Sequence, residues 1–102
     1  MNINKLKEME ARHREEILSL LSETDDMILE ELCKTSFVKD KNMWKYFRAE
    51  DCKIGMMYDH HGFLHNMRTA GIIIYEYGYE WGTNWFSINP EFRTLLLKKY
   101  DI

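Results

Sequence analysis

Apolar residues recur at intervals of three and four from the start of the chain. Ile3, Leu6, Met9, Ile17, Leu20 and Leu21 make one stripe, while Lys5, Lys7, Glu8, Glu10, Arg12, Arg14, Glu15 and Glu16 occupy the other face. That spacing predicts one long amphipathic helix over residues 2–22. Opposite charges one turn apart reinforce it: Lys7 with Glu10, Glu8 with Arg12 and Arg12 with Glu16 each contribute about 0.2–0.5 kcal/mol. His13 falls on the apolar stripe and reads as a partly exposed helix residue. Ser22, Thr24 and Asp25 supply capping side chains, so a break near 22–25 leads into a second, short helix through Asp26–Cys33. Positions 28, 29, 32 and 33 form its apolar face, with Cys33 acting as a small buried hydrophobe. Ser36–Lys41 reads as a loop, and Asp40 or Asn42 caps a third helical piece over Met43–Arg48.

The helical period resumes over residues 56–70, with Met57, His60, Leu64 and Met67 at helical intervals. Gly71 ends it, because a glycine just past a helix turns the chain through positive φ without a Cβ clash. From there the period changes. Ile72–Tyr77 is rich in β-branched and aromatic residues, Gly78–Asn84 carries turn chemistry, and Trp85–Asn89 is a second strand, which together predict a β-hairpin. Pro90 cannot extend a strand ladder but suits the first turn of a helix, so Pro90–Lys99 is a final short helix.

Composition narrows the class. With 102 residues, 45% apolar and 30% charged, the chain can bury the core of one domain, and disorder is excluded. No window is apolar for long enough to span a membrane and the start is not that of a signal peptide, so a cytoplasmic protein without membrane contact is expected. Cys33 and Cys52 stand alone, which fits reduced thiols better than a disulfide framework or a zinc finger. The net charge of −3 argues mildly against sequence-blind binding to nucleic acid. Its distribution is more informative: residues 1–30 hold four basic and eight acidic side chains, 31–50 hold five and three, and 51–102 hold five and six. Only the middle segment leans positive.

Helices, then a longer helix ended by Gly71, then a hairpin, is the element order of a winged helix-turn-helix domain. The run Ile54-Gly55-Met56, continued by Leu64-His65-Asn66-Met67-Arg68-Thr69-Ala70-Gly71-Ile72-Ile73 and closed by Trp85-Phe86-Ser87-Ile88-Asn89-Pro90-Glu91, resembles the second half of an ArsR- or MarR-type winged helix. The match spans residues 54–91. It implies a mainly α fold with a β-hairpin, an α+β winged helix-turn-helix with an extra N-terminal helix. Residues 1–102 then form one domain: a dimerising N-terminal helix 1–22, a winged-helix core 23–91 and a C-terminal helix 90–100. Leu64, Met67, Ile72, Ile73, Phe86 and Ile88 take the family's core positions, and Tyr58, His61, His65, Asn66 and Arg68 take the groove-facing side of the recognition helix.

The expected function is therefore that of a transcriptional regulator binding double-stranded DNA as a homodimer. Asn pairs with adenine and Arg with guanine in the major groove, and Lys41, Lys45, Arg48 and Lys53 would hold phosphates. The wing itself is acidic and aromatic, with Glu76 and Glu80 among Tyr75, Tyr77, Tyr79 and Trp81. That composition suits a protein surface, so the alternative is a winged-helix adaptor docking a protein partner through Tyr77, Tyr79 and Trp81. His61 and His65 share a helix face as zinc ligands do, but neither HExxH nor a thiolate pair accompanies them. They read as exposed or groove-facing histidines, and no metal or other cofactor is expected. No catalytic signature is present, so an enzyme is not expected.

Overall fold

The structure is a computed structural model that describes residues 2–34, 47–48, 52, 60–78 and 84–102. It is an α+β fold in which helices α1 (Ile3–Ser19), α2 (Glu23–Leu32), α3 (His60–Thr69) and α4 (Arg93–Lys99) surround a three-stranded antiparallel sheet. The strands are β1 (Phe47–Arg48), β2 (Ile73–Gly78) and β3 (Asn84–Ile88), in the order β1-β3-β2. A 3-10 turn, Pro90–Phe92, leads from β3 into α4.

Side chains placed by the sequence start and stop the helices. The Asn2 side chain accepts hydrogen bonds from the Asn4 and Lys5 amides and opens α1. Ser22 Oγ accepts from the Asp25 amide at 3.1 Å and opens α2, whose first turn carries Glu23, Asp25 and Asp26, all favourable against the helix dipole. Because Ser22 takes that role, α1 stops at Ser19, three residues before the end that the apolar stripe suggested. Gly71, at φ 78°, ends α3: its amide donates to Arg68 O and the Ile72 amide to Met67 O, the paired bonds of a glycine-terminated helix.

The core draws on every helix. Ile28, Leu29, Leu32 and Cys33 form the buried face of α2 that the spacing predicted. Phe63, Leu64 and Met67 from α3, Ile72 just before β2, Ile73 at its start, and Phe86 and Ile88 from β3 join the same core, with Phe92, Leu96 and Tyr100. Each of the large side chains contributes about 1.5–3 kcal/mol by leaving water. From α1, only Leu18 is buried. Ile3, Leu6 and Met9 are exposed on the part of the helix that runs clear of the core.

One expectation fails outright. Phe47 and Arg48, assigned by pattern to the end of a helical piece over Met43–Arg48, form a strand that pairs antiparallel with β3, Phe47 opposite Phe86 and Arg48 opposite Trp85. The Phe47 and Phe86 rings lie 5.9 Å apart, and both side chains are buried. Two residues are too few to display a period, so a distant partner decides their conformation. The rest of that piece, residues 43–46, lies outside the described residues.

The hairpin register carries a bulge. Ile73 pairs with Ile88, Ile74 with Ser87 and Tyr75 with Phe86, after which Tyr77 pairs with Trp85, so Glu76 is the extra residue. Tyr77 is thereby turned to the same face as Trp85, and their rings stack with centroids 6.3 Å apart. Glu76 accepts a short hydrogen bond from Ser87 Oγ.

Candidate nucleic-acid interface

Helix α3 is amphipathic in a way that fixes which side chains it can offer. Phe63, Leu64 and Met67 are buried, so His61, His65 and Arg68, at intervals of four and three, form a stripe on the exposed side. A rise of about 1.5 Å per residue spreads these three groups over about 10 Å along the helix. All can donate hydrogen bonds to phosphate oxygens or to acceptors on base edges. Gly62 lies within the helix, where a glycine costs about 1 kcal/mol relative to alanine.

Asn66 follows a different course. Its amide Nδ2 donates to Asp25 Oδ2 at 3.0 Å, which ties α3 to the first turn of α2. Asp25 is a buried carboxylate near a helix N-terminus, and this bond supplies part of the solvation it has lost. The side chain expected to read adenine is exposed and makes this one bond to α2. Replacing Asn66 with alanine is expected to cost about 1–3 kcal/mol of stability in urea unfolding, since it leaves a buried acceptor with one partner fewer. An unchanged midpoint would mean that the side chain serves only the outer surface.

Arg68, near the end of α3, reaches the sheet: its guanidinium carbon lies 5.6 Å from the centre of the Tyr75 ring. Tyr75 in turn meets Phe86 edge-on at 5.8 Å. A guanidinium resting on an aromatic face keeps its outward N–H groups available while the stack limits its rotamers. Arg48 sits similarly, 5.7 Å from the centre of the Trp85 ring. The alternation along β3 places Trp85 and Phe86 on opposite faces, so the two arginines meet the sheet on opposite sides. Arg48 is therefore not gathered with the α3 stripe. Of the other expected contacts, Lys41, Lys45, Lys53 and Tyr58 lie outside the described residues, as do Tyr79 and Trp81 of the expected wing. Tyr77 is described, and it is exposed beside Trp85.

Other reactive side chains are placed where they do little chemistry. Cys33 is wholly buried, and loss of hydration, with the negative charge of Glu30 adding to it, pushes its thiol up to about 12. A thiol so protonated is no nucleophile near neutral pH. Among the described residues no three His, Cys, Asp or Glu side chains converge where a metal ion could sit. No helix among them is long and apolar enough to cross a membrane. Asp25 was not singled out by the sequence as functional, since its contact with Asn66 spans 41 residues, nor was Tyr75, whose contact with Arg68 depends on how β2 sits beside α3. Comparison with protein-family models, with curated proteins and with solved structures yields no match.

Proposed function

We propose that this chain is a winged helix-turn-helix protein that binds double-stranded DNA as a homodimer and regulates transcription, with α3 as the helix that enters the major groove. The observation that carries this reading is the sheet order. A short strand before α3 pairs with the return strand of the hairpin that follows α3, which is the strand order a wing would need. The exposed stripe of His61, His65 and Arg68 supplies donors on the helix that such a fold presents to a groove. Ile3, Leu6 and Met9, exposed on a helix that leaves the core, supply an apolar surface for a second subunit.

Fluorescence anisotropy with a random-sequence duplex provides the test. Affinity is expected to fall steeply between about 50 and 200 mM salt, and Arg68→Ala to weaken binding about tenfold while lowering the salt slope by about one. Glutamates at Leu6 and Met9 should halve the mass seen in sedimentation and weaken duplex binding at the same time. Absence of binding at 50 mM salt, or an Arg68→Ala variant with unaltered affinity, would overturn the proposal. One observation favours the adaptor as a second reading: Ile74 and Tyr77, each 38% exposed, share the face of Trp85 and Arg48 and give it an apolar and aromatic surface. A protein that fails to bind duplex but loses a partner on Tyr77→Ala would select it.

A further inference from the structure

We propose that two copies of this chain pair through α1 as an antiparallel two-helix seam, the tip of each helix resting in a hollow beside the base of the other. This rests on the homodimer proposed above and assigns its geometry; it does not depend on whether the dimer binds DNA. A stripe runs along one flank of α1 through Ile3, Leu6, Glu10, His13, Ile17 and the capping residue Leu20, at alternating intervals of three and four. Those alternating intervals are the seam of a coiled coil. Ile17 is half-buried and the other five side chains are exposed, Leu20 to 82%.

The order of residues in the stripe decides how a second copy lies on it. It reads apolar, apolar, acid, histidine, apolar, apolar. In antiparallel pairing about the point midway between Glu10 and His13, Ile3 meets the partner's Leu20, Leu6 meets the partner's Ile17 and Glu10 meets the partner's His13. Two-fold symmetry makes each contact twice. Every apolar side chain then faces an apolar one, and an imidazole N–H donates to a carboxylate in each of the two central layers. Parallel pairing instead sets Glu10 against the partner's Glu10 inside the seam, where like charges repel. The flanking charges favour the same direction. Residues 3–9 carry Lys5 and Lys7 against Glu8, whereas 14–20 carry Glu15 and Glu16 against Arg14, whose Nη1 is 3.6 Å from Glu91. Antiparallel helices bring the positive half of one onto the negative half of the other, with their dipoles opposed.

Each tip also has a place to rest. A hollow beside Leu20, between α1 and α3, has Ile17, Leu21, Met67 and Ala70 among its walls. Its polar lining is occupied within the chain: Asn66 is bonded to Asp25, and Ser22 caps α2. In this register the partner's Ile3 and Leu6 reach the base of α1 and cover the apolar walls, where burial contributes in proportion to the area taken from water. The two central polar layers fix the register at some cost in affinity, as a polar side chain at a coiled-coil seam does.

Sedimentation and cross-linking of the full chain test the arrangement. A dimer with a dissociation constant below about 100 µM is expected. A short bismaleimide should join a mixture of the Ile3→Cys and Leu20→Cys variants into a covalent dimer but leave each variant alone uncross-linked, because two copies of either position lie about 25 Å apart. Cys33 and Cys52 are buried, out of the reagent's reach. Glu10→Lys and His13→Glu should each weaken the dimer at least about tenfold, and the double variant, which restores opposite charges across the seam, should return to within about threefold of the parent. Self-cross-linking of Ile3→Cys would overturn the antiparallel seam while leaving the homodimer standing. A double variant as weak as the single ones would overturn the register. A chain that is monomeric at about 1 mM would overturn both this seam and the homodimer itself.

Discussion

Replacing Phe47 with alanine is expected to lower stability by about 3–5 kcal/mol, the range found for deleting a buried aromatic ring. Phe47 is 1% exposed and packs on Phe86, and β1 consists of only two residues, so backbone pairing alone cannot hold it in the sheet. The ring is the anchor of the strand. In a domain of this length about 1 kcal/mol moves the melting temperature by 4–8 °C, so calorimetry should show a fall of at least about 12 °C. Against a total stability of about 5–15 kcal/mol, that loss removes about a fifth or more of the folding free energy. Arg48→Ala, which removes a guanidinium stacked on Trp85, should cost no more than about 1 kcal/mol. A melting temperature within 3 °C of the parent for Phe47→Ala would show that the strand is not joined to the sheet.

Stability should also collapse in alkali, between about pH 9 and 12. Cys33 and Tyr100 are responsible. Burial, with Glu30 adding, raises the Cys33 thiol from 9.0 to about 12. Tyr100 is raised above its ordinary 10.0 first by burial and then by Asp26, whose carboxylate accepts the phenol's hydrogen bond at 2.7 Å. Both groups keep their protons in the folded chain at pH values where the unfolded chain releases them. Each therefore contributes stability that is fully present below its unfolded pKa and is lost as the pH climbs toward the folded one. Above about pH 9 Cys33 removes about 1.4 kcal/mol per pH unit, and above about pH 10 Tyr100 doubles that slope. Urea titrations at successive pH values should show this steepening, and Cys33→Val with Tyr100→Phe should flatten it. A parent stability that stays level from pH 9 to 11 would refute the assignment.

Elements with a period were legible in the sequence. The apolar positions 28, 29, 32 and 33 face the core as spaced, Gly71 stops α3, and the switch to β-branched and aromatic residues at Ile72 marks the hairpin. Leu64, Met67, Ile72, Ile73, Phe86 and Ile88 are all buried as expected. Features made by one distant contact were not legible. Phe47 becomes strand through Phe86, and Asn66 is tied to α2 through Asp25, 41 residues away. No local spacing encodes either partner. The bulge at Glu76 escaped for a related reason: an inserted residue leaves Tyr-x-Tyr looking like ordinary alternation, while the pairing with Trp85 shifts by one. For the candidate site, the helix periodicity located the exposed stripe of His61, His65 and Arg68, but nothing in it announced Tyr75 as the platform for the arginine.

The first helix is a lever. It is held near its C-terminal end, where Leu18 is buried and Lys99 Nζ donates to the Leu18 carbonyl oxygen, and Ile3 lies about 22 Å away along its axis. A tilt of 10° about that fulcrum carries Ile3 through about 4 Å. Small rearrangements around Leu18 are therefore magnified at the free tip, and whatever grips the tip would feel them as a change of position much larger than the one that caused it.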